Sequence, residues 1–362
     1  MKFSQIYYVR SSRASWLLFP GGKNRPFSRF HHYGNNPTII LNNGCEIPVL
    51  GLGTWKSKPQ DVLRAVKYAI HVGYRHFDCA HVYQNQKEVG LAIKQKIEEG
   101  EICRENVFIT SKLWNTFHGD YNRVKEGLEK TLTDLCLSYV DLYLMHWPMG
   151  FVSSEVLFPM SAGGGIAFNT DCHFTHVWKE MEKLQKEGLT RMIGVSNFNK
   201  GQIEKLLAVA EIVPAVNQVE CHPYLNQVDL SNFCREKFIN VTAYSPLGAR
   251  DFVQRDTPGP MDDTVVSCIA KNHCRSPAQV LIRYQIQRGH LVIPKSVSNE
   301  RIFQNFLVFD FNLSGDEMAA LAGLERGSRG RILRGRDYRN HPEYPFKELL
   351  GPASKDIPPS ID

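Results

Sequence analysis

The feature that most constrains the fold is a regular alternation, from Leu50 onward, of short apolar stretches with stretches patterned as helices. Short apolar runs bounded by turn residues indicate strands, and apolar repeats at three and four residues indicate amphipathic helices. Such alternation implies a parallel sheet with right-handed crossovers. The predicted strands are 50–55, 74–78, 107–112, 140–146, 192–196, 215–219, 241–244 and 291–293.

The helix-patterned stretches lie between and after these strands, at 61–71, 87–99, 121–137, 175–187, 202–209, 225–237, 264–271, 278–287 and 315–324. Eight strand–helix units over roughly 300 residues match the size of a (β/α)8 TIM barrel. A doubly wound sheet is the alternative, and it predicts a glycine-rich phosphate turn in the first unit. Gly51 and Gly53 lack the third glycine of that fingerprint. We therefore expect an α/β fold of the TIM-barrel class.

Several segments outside this alternation are predicted to decorate the barrel. Residues 38–41 and 45–49 flank an Asn-Asn-Gly turn, which predicts an N-terminal β-hairpin. The connection 149–169 contains three consecutive glycines and is predicted to be a surface loop over a site. Irregular stretches also run over 247–260 and 326–344, and we expect long loops at the C-terminal face of the barrel.

The first 36 residues form a basic extension, which we separate from a single barrel domain over residues 37–362. The extension contains no acidic residue, and it accounts for the whole formal charge of +6. Because the body is then neutral, its charge does not indicate nucleic-acid binding. Such an extension is typical of a mitochondrial transit peptide, and a disordered tail is the alternative. We expect a cytosolic protein, or a mitochondrial one if the extension is a transit peptide.

Cysteine usage and hydropathy exclude other classes. The nine cysteines are an odd number, and none forms a Cys-x-x-Cys pair, which argues against a disulfide scaffold or a zinc module and favours a reducing compartment. No apolar run is long enough to predict a transmembrane helix.

Polar residues stand at the ends of seven consecutive predicted strands. In a TIM barrel the active site lies at the C-terminal ends of the strands, so these side chains are expected to share one mouth. They are Asp78, Lys112, His146, the pair Ser196-Asn197, Gln218, the pair Tyr244-Ser245, and the pair Lys295-Ser296.

The residue types at this mouth restrict its chemistry. No metal site is expected, because the sequence has no clustered His and carboxylate ligands. Ser196 lacks the trailing glycine of a nucleophile elbow. Schiff-base chemistry at Lys112 or Lys295 remains open. Proton transfer fits best, because a tyrosine beside a lysine paired with an aspartate has its phenol pKa lowered, and Asp78 and Tyr83 lie five residues apart.

From about Thr38 to its end, the chain resembles the aldo-keto reductases, and within them the aldose and aldehyde reductase branch. The matching motifs occur in order along the chain. They are LGLGTW at 50–55, GYRHFDCAHVY at 73–83, TSKLW at 110–114, DLYLMHWP at 141–148, IGVSNF at 193–198, NQVECHPY at 217–224, AYSPLG at 243–248 and IPKSV at 293–297.

The resemblance implies reduction of aldehydes and ketones to alcohols by four catalytic residues. Tyr83 would be the general acid that protonates the carbonyl oxygen as hydride arrives. Lys112, with Asp78 behind it, would lower the pKa of Tyr83. His146 would orient the carbonyl through a hydrogen bond.

The resemblance also implies NADPH as cofactor and a small carbonyl compound as substrate, with no nucleic-acid or membrane partner and a monomeric state. Tyr244 would stack on the nicotinamide, and Lys295, Ser296 and Arg301 would hold the 2′-phosphate. The full cofactor set is Thr54, Trp55, Asp78, Ser196, Asn197, Gln218, Tyr244, Ser245, Leu247, Lys295, Ser296, Arg301 and Asn305. The substrate set is Trp55, His146, Trp147 and Phe151, an aromatic wall that suits hydrophobic carbonyls.

Three departures from the family pattern bear on this expectation. The connection after Gly248 differs where the family folds a loop over the cofactor, Gln304 stands where a glutamate is common, and the tail after Arg326 is rich in arginine. A non-catalytic NADPH-binding relative is the alternative. The intact set of four catalytic residues favours the enzyme.

Overall fold

The computed structural model describes residues 36–249 and 259–350. The basic extension, apart from its last residue, lies outside the described residues. Most of the irregular connection after Gly248 also lies outside them.

The described chain begins with the predicted hairpin. Strands β1 (Thr38–Ile40) and β2 (Glu46–Pro48) pair antiparallel, with Ile39 opposite Ile47. Gly44 in the turn has φ +84°, a left-handed conformation that favours glycine. Asn42 Nδ2 donates to the carbonyl oxygens of Val213 and Pro214, which ties the turn to the body. The N-terminal hairpin is thus confirmed.

Eight parallel strands follow, in an order that matches their order along the chain. Each pairs with the next through parallel hydrogen bonds, as helix-connected strands do. The strands are β3 (Leu52–Gly53), β4 (His76–Asp78), β5 (Phe108–Leu113), β6 (Val140–Met145), β7 (Thr190–Ser196), β8 (Val216–Glu220), β9 (Asn240–Tyr244) and β10 (Leu291–Val292). The predicted parallel α/β sheet is confirmed.

The two edges of this sheet meet. Parallel bridges join Leu50 to Val292 and Gly53 to Lys295, and Gly53 N donates to Pro294 O at 3.1 Å. A Cβ at position 53 would lie 2.9 Å from Ile293 O, so glycine is required for this close approach. The sheet therefore curls until its first and last strands are hydrogen-bonded.

The helices lie between the strands, and their buried faces supply the core. In the first of them, Val62, Ala65, Val66 and Ala69 recur at three- and four-residue spacing and are all buried. The helices are α1 (Pro59–Val72), α2 (Gln86–Glu98), α3 (Tyr121–Leu135), α4 (Phe174–Lys186), α5 (Lys200–Leu207), α6 (Val228–Glu236), α7 (Thr264–Asn272), α8 (Pro277–Gln287), α9 (Asn299–Phe306) and α10 (Gly315–Ala322). No helix of the described residues is long and apolar enough to cross a membrane.

Helix α9 was not predicted from the sequence. It has only eight residues. Its start is nonetheless capped, because Arg301 N donates to the side chain of Ser298 at 3.4 Å. This helix matters for the site because it directly follows the last strand and carries Arg301.

Candidate active site

Three of the four predicted catalytic residues come from neighbouring strands, and the fourth follows one of them. Asp78 ends β4, Lys112 lies in β5, and His146 directly follows β6. Tyr83 ends a single 3-10 turn, His81–Tyr83, just after β4. Because the carboxyl ends of parallel strands meet at one edge, these side chains share one end of the sheet.

Lys112 connects the acidic and phenolic members of this group. Its side chain is fully buried, and Nζ donates to the two carboxylate oxygens of Asp78 at 2.9 and 2.8 Å and to Cys79 O at 2.9 Å. Nζ also lies 3.1 Å from Tyr83 Oη. An ammonium group only donates, so the Tyr83 oxygen is the acceptor in this contact. The phenol therefore keeps its own proton for another partner.

We expected Lys112 to lower the pKa of Tyr83, but the net shift of the Tyr83 pKa has the opposite direction. Burial of the phenol, together with the nearby Asp78 carboxylate, raises the pKa of Tyr83 well above its usual value. The Lys112 ammonium, which is paired with Asp78, does not offset this rise in the Tyr83 pKa. Tyr83 consequently carries its proton at neutral pH, as a proton donor must.

His146 is held as a neutral imidazole. Burial, with the positive charge of Lys112 as a further cause, lowers the pKa of His146 well below its usual value. Its ring lies edge-on to the rings of Tyr83 and Trp114, at centroid distances of 5.9 and 5.4 Å. Its Nδ1 is buried without a hydrogen-bond partner among the described residues. A neutral ring of this kind can donate one hydrogen bond and accept another.

A second polar group continues from Asp78 across the strand ends. Gln218 Nε2 donates to Asp78 Oδ1 at 2.8 Å, and Ser196 Oγ donates to Gln218 O at 2.9 Å. Asn197 Nδ2 donates to His146 O at 3.0 Å, and Tyr244 Oη donates to Asn197 Oδ1 at 2.7 Å. Thr54 Oγ1 donates to Asp78 O at 2.8 Å and joins the network from the opposite side.

The side chains of this network could hold the amide group of a cofactor. Asn197 adopts φ +63°, which asparagine tolerates better than most residues. The Asn197 side chain thus donates to the backbone carbonyl of His146 and accepts from the hydroxyl of Tyr244. Amide and hydroxyl groups of this kind supply both donors and acceptors, which a carboxamide requires.

Cationic side chains collect at the end of β10 and the start of α9. Lys295 and Arg301 are exposed, whereas Ser296 and Asn305 are buried. Arg301 stands in the first turn of α9, where the backbone amides already favour an anion. Two cations beside such amides match a phosphate group. Ser245 and Leu247, both half-buried, follow β9 directly and precede the connection after Gly248.

The predicted aromatic wall is only partly exposed. Trp55 is half-buried, with its ring centroid 6.3 Å from that of Tyr83. Trp147 is also half-buried. Phe151 has no exposed surface, and its ring packs against Trp114 and Tyr338 at 5.8 and 5.3 Å. Phe151 therefore supports the wall from behind.

Three aromatic residues at this site were not predicted. Trp114 packs on His146 and on the 41% exposed Phe158, at 5.4 and 5.3 Å. Tyr338 packs edge-on against Trp147 at 5.4 Å. Trp114 could have been found, because it follows Lys112 at the end of β5. Phe158 and Tyr338 lie in irregular segments that carry no local signal.

The described residues do not form a metal site. No group of three His, Cys, Asp or Glu side chains there is arranged to hold a metal ion. The proton donor, the paired lysine and the neutral histidine instead suit proton transfer to an oxygen atom.

Comparisons with known proteins agree with this arrangement. Residues 49–326 match the model of the aldo/keto reductase family. The chain is 46% identical over 323 residues to aldo-keto reductase family 1 member A1 of Homo sapiens, and the alignment covers 86% of this chain and 98% of the relative. The Xenopus tropicalis relative of the same name is 47% identical over 319 residues, with 85% and 97% covered. The solved aldose reductase of Schistosoma japonicum superposes with a TM-score of 0.80 at 43% identity, covering 86% of this chain and 99% of that one. The chain belongs to the aldo/keto reductase family, whose members are NADP-dependent oxidoreductases that interconvert carbonyl compounds and alcohols.

Proposed function

We propose that this chain reduces aldehydes and ketones to alcohols with NADPH, and that Tyr83 is the general acid. The observation that carries the proposal is the position of Lys112, whose Nζ lies 2.8 Å from Asp78 and 3.1 Å from Tyr83 Oη. A purely binding protein does not require a buried ammonium beside a protonated phenol.

The chain's own residues handle the proton. When bound, a nicotinamide cofactor supplies the hydride. Tyr83 gives its phenol proton to the carbonyl oxygen, and the adjacent Lys112 ammonium stabilises the phenolate that remains. His146, neutral and edge-on to Tyr83, holds the carbonyl oxygen by a hydrogen bond.

The cofactor set is part of the same proposal. Ser196, Asn197 and Gln218 would hold the carboxamide, with Thr54 and Asp78 completing the polar floor and Tyr244 under the ring. Ser245 and Leu247 would follow the pyrophosphate. Lys295, Ser296, Arg301 and Asn305 would hold the 2′-phosphate, which favours NADPH over NADH.

The substrate would be a small carbonyl compound with an apolar body. Trp55 and Trp147 are half-buried aromatic walls beside Tyr83 and His146, and apolar walls with few polar groups suit such ligands. We also propose that the long connections after β6 and after α10 cover this mouth. We further propose that the active protein is a monomer.

The test is NADPH consumption by the full chain with aliphatic, aromatic and sugar aldehydes, ketosteroids and quinones. Tyr83→Phe removes only the transferable proton, so it should abolish turnover and leave NADPH binding within about twofold. Tyr68→Phe, on α1, is the matched control and should turn over normally. Tight NADPH binding without turnover by the unaltered chain would favour the binding-protein alternative.

The location in the cell is a separate proposal. We propose a cytosolic protein, with a mitochondrial one as the alternative if residues 1–36 act as a transit peptide. Residues 1–36 fused to a fluorescent protein test this, and import into mitochondria would overturn the cytosolic proposal.

A further inference from the structure

Glu220 is a buried carboxylate that the proposed chemistry does not use. It ends β8, two residues after Gln218, and has no exposed surface. Its Oε1 lies 3.0 Å from His222 Nε2. A carboxylate is costly to bury unless its oxygens accept hydrogen bonds. The other contacts of Glu220 therefore indicate its structural role.

Those contacts are backbone groups far along the chain. Ile332 N donates to Oε1 of Glu220 at 2.9 Å, and Leu333 N donates to Oε2 at 3.0 Å. Both donors belong to residues 331–338, which we name the wall segment. One side chain at the end of a barrel strand thus holds two successive amides of an otherwise irregular segment. Bonds to a charged acceptor are the stronger kind of hydrogen bond.

The wall segment leads directly to the proposed substrate pocket. Gly335 adopts φ +54°, and a Cβ built there would lie 3.3 Å from the Trp147 ring and 2.8 Å from the Tyr338 ring. Tyr338 then packs edge-on to Trp147 at 5.4 Å and against Phe151 at 5.3 Å. The turn at Gly335 therefore packs closely against Trp147, which the proposed function assigns to the pocket wall.

We propose that Glu220 is a positioning residue for substrate selectivity. Its carboxylate fixes the wall segment on the end of β8, so that Gly335 and Tyr338 hold the Trp147 ring in one orientation. Selectivity for bulky carbonyl compounds depends on that orientation, whereas proton donation by Tyr83 next to Lys112 does not. The inference rests on the proposed function, because it takes Trp147 as a wall of the substrate pocket.

Other contacts hold the C-terminal part of the chain, one of them on the wall segment itself. Tyr344 Oη donates to Arg334 O at 2.5 Å. Glu343 accepts from Lys205 at 3.0 Å, and its backbone oxygen accepts from Gln202 at 2.8 Å, both on the outer helix α5. These anchors keep the region attached when the bonds of Glu220 are lost. A local shift of the wall segment is then expected, with the rest of the barrel in place.

The chain offers a matched control for this test. Glu182 on α4 is likewise buried, 1% exposed, and its Oε1 accepts from the backbone amides of Glu211 and Ile212 at 2.7 and 2.9 Å. Glu182→Gln therefore removes the same kind of charge from the same kind of site, with no connection to the wall segment. Glu220→Gln and Glu182→Gln are compared by steady-state kinetics of the full chain with NADPH.

Glu220→Gln should raise KM for a bulky aromatic aldehyde by about tenfold, since at least one charge-assisted bond is lost. KM for NADPH, and kcat with a short aliphatic aldehyde, should change by less than about twofold. Glu182→Gln should lower the thermal midpoint without this change in KM. Equal changes for short and bulky aldehydes, or a rise in KM with Glu182→Gln, would overturn the proposal.

A second variant guards against misfolding of Glu220→Gln. Ile332→Pro removes one donor from the wall segment and leaves Glu220 with His222. The preceding Arg331 already has the extended backbone, φ −72° and ψ 122°, that a following proline requires. The same rise in KM for the bulky aldehyde is expected. An unchanged KM would overturn the role of these amides.

Hydrogen exchange separates this inference from the proposed function. In Glu220→Gln the amides of the wall segment should exchange faster than in the unaltered chain, and in Glu182→Gln they should not. Faster exchange with no turnover of any carbonyl by the unaltered chain would mean that the anchor is real and the proposed function is wrong. Unchanged exchange would overturn the anchor itself.

Discussion

The Nζ of Lys112 lies within 2.9 Å of both carboxylate oxygens of Asp78, and neither side chain is more than 3% exposed. The pair joins β4 to β5 at the end of the sheet where the other polar residues collect. A buried ion pair of this kind adds little to stability in net terms, but removal of one partner leaves an uncompensated charge. Its retention in the core therefore argues for a role in the chemistry.

Asp78→Asn should separate the two roles of this pair. Loss of the carboxylate leaves the Lys112 ammonium without its anionic partner, so the free energy of unfolding should fall by about 3–5 kcal/mol. Turnover should fall by roughly a hundredfold, because the position of the ammonium beside Tyr83 depends on Asp78. Urea unfolding and steady-state reduction of an aromatic aldehyde measure the two effects.

The double variant Asp78→Asn with Lys112→Met sharpens this prediction. It removes both charges, so stability should recover relative to Asp78→Asn, whereas turnover should not. Asp61→Asn is the surface control, because its pair with Arg64 is solvent-exposed and should contribute at most about 1 kcal/mol. Recovery of turnover in the double variant would mean that Lys112 has no catalytic part.

The sequence predicted the residues whose places follow from strand order. Asp78, Lys112 and His146 stand at the ends of β4, β5 and β6, and parallel pairing of consecutive strands brings them together without further information. The catalytic roles themselves came from the resemblance. The polar residues Ser196, Gln218 and Tyr244, which lie at or near the ends of β7, β8 and β9, were placed by the same rule.

Two of the three aromatic residues that the sequence did not predict reach the site from irregular segments. Phe158 and Tyr338 meet Trp114 and Trp147 through ring packing, which follows no periodic pattern in the chain. The direction of the Tyr83 pKa was also mispredicted. That direction depends on how deeply the phenol is buried and on how close the Asp78 carboxylate lies, and neither can be read from residue types.

Arg301→Ala should weaken NADPH binding far more than NADH binding. Arg301 is exposed in the first turn of α9, six residues after the exposed Lys295, where a phosphate would meet both a fork of donors and the helix amides. Loss of charge-assisted bonds predicts a rise of about tenfold or more in Kd for NADPH. Fluorescence titration with NADPH and with NADH measures the two Kd values.

The control for this variant is Arg64→Ala, which removes an exposed arginine from α1. It should leave both Kd values unchanged. Equal losses of NADPH and NADH affinity with Arg301→Ala would place the 2′-phosphate elsewhere on the protein.

Carbonyl reduction should show no histidine step near neutral pH. Burial raises the pKa of Tyr83 and lowers the pKa of His146, so the acid stays protonated and the imidazole stays neutral across about pH 6 to 8. The value of kcat/KM for an aromatic aldehyde, measured over that range at saturating NADPH, should therefore be nearly constant. A step with a midpoint near the usual histidine pKa that disappears in His146→Asn would contradict the neutral ring.

Stability, in contrast, should fall as the solution is acidified. Burial lowers the pKa of His76 to about 4 and that of His118 to about 3, and both residues are at most 1% exposed. The pKa of a histidine in the unfolded chain is about 6.5, so below that pH the unfolded chain binds protons at these histidines and the folded chain does not. Between pH 7.5 and 5.5 each of the two histidines should therefore lower the free energy of unfolding by about 1.4 kcal/mol. Urea unfolding at the two pH values should show that His118→Asn loses less stability on acidification than the unaltered chain. His176→Asn, which replaces an exposed histidine, is the control and should lose as much stability as the unaltered chain. An equal loss of stability on acidification in all three proteins would show that His118 is protonated in the folded chain.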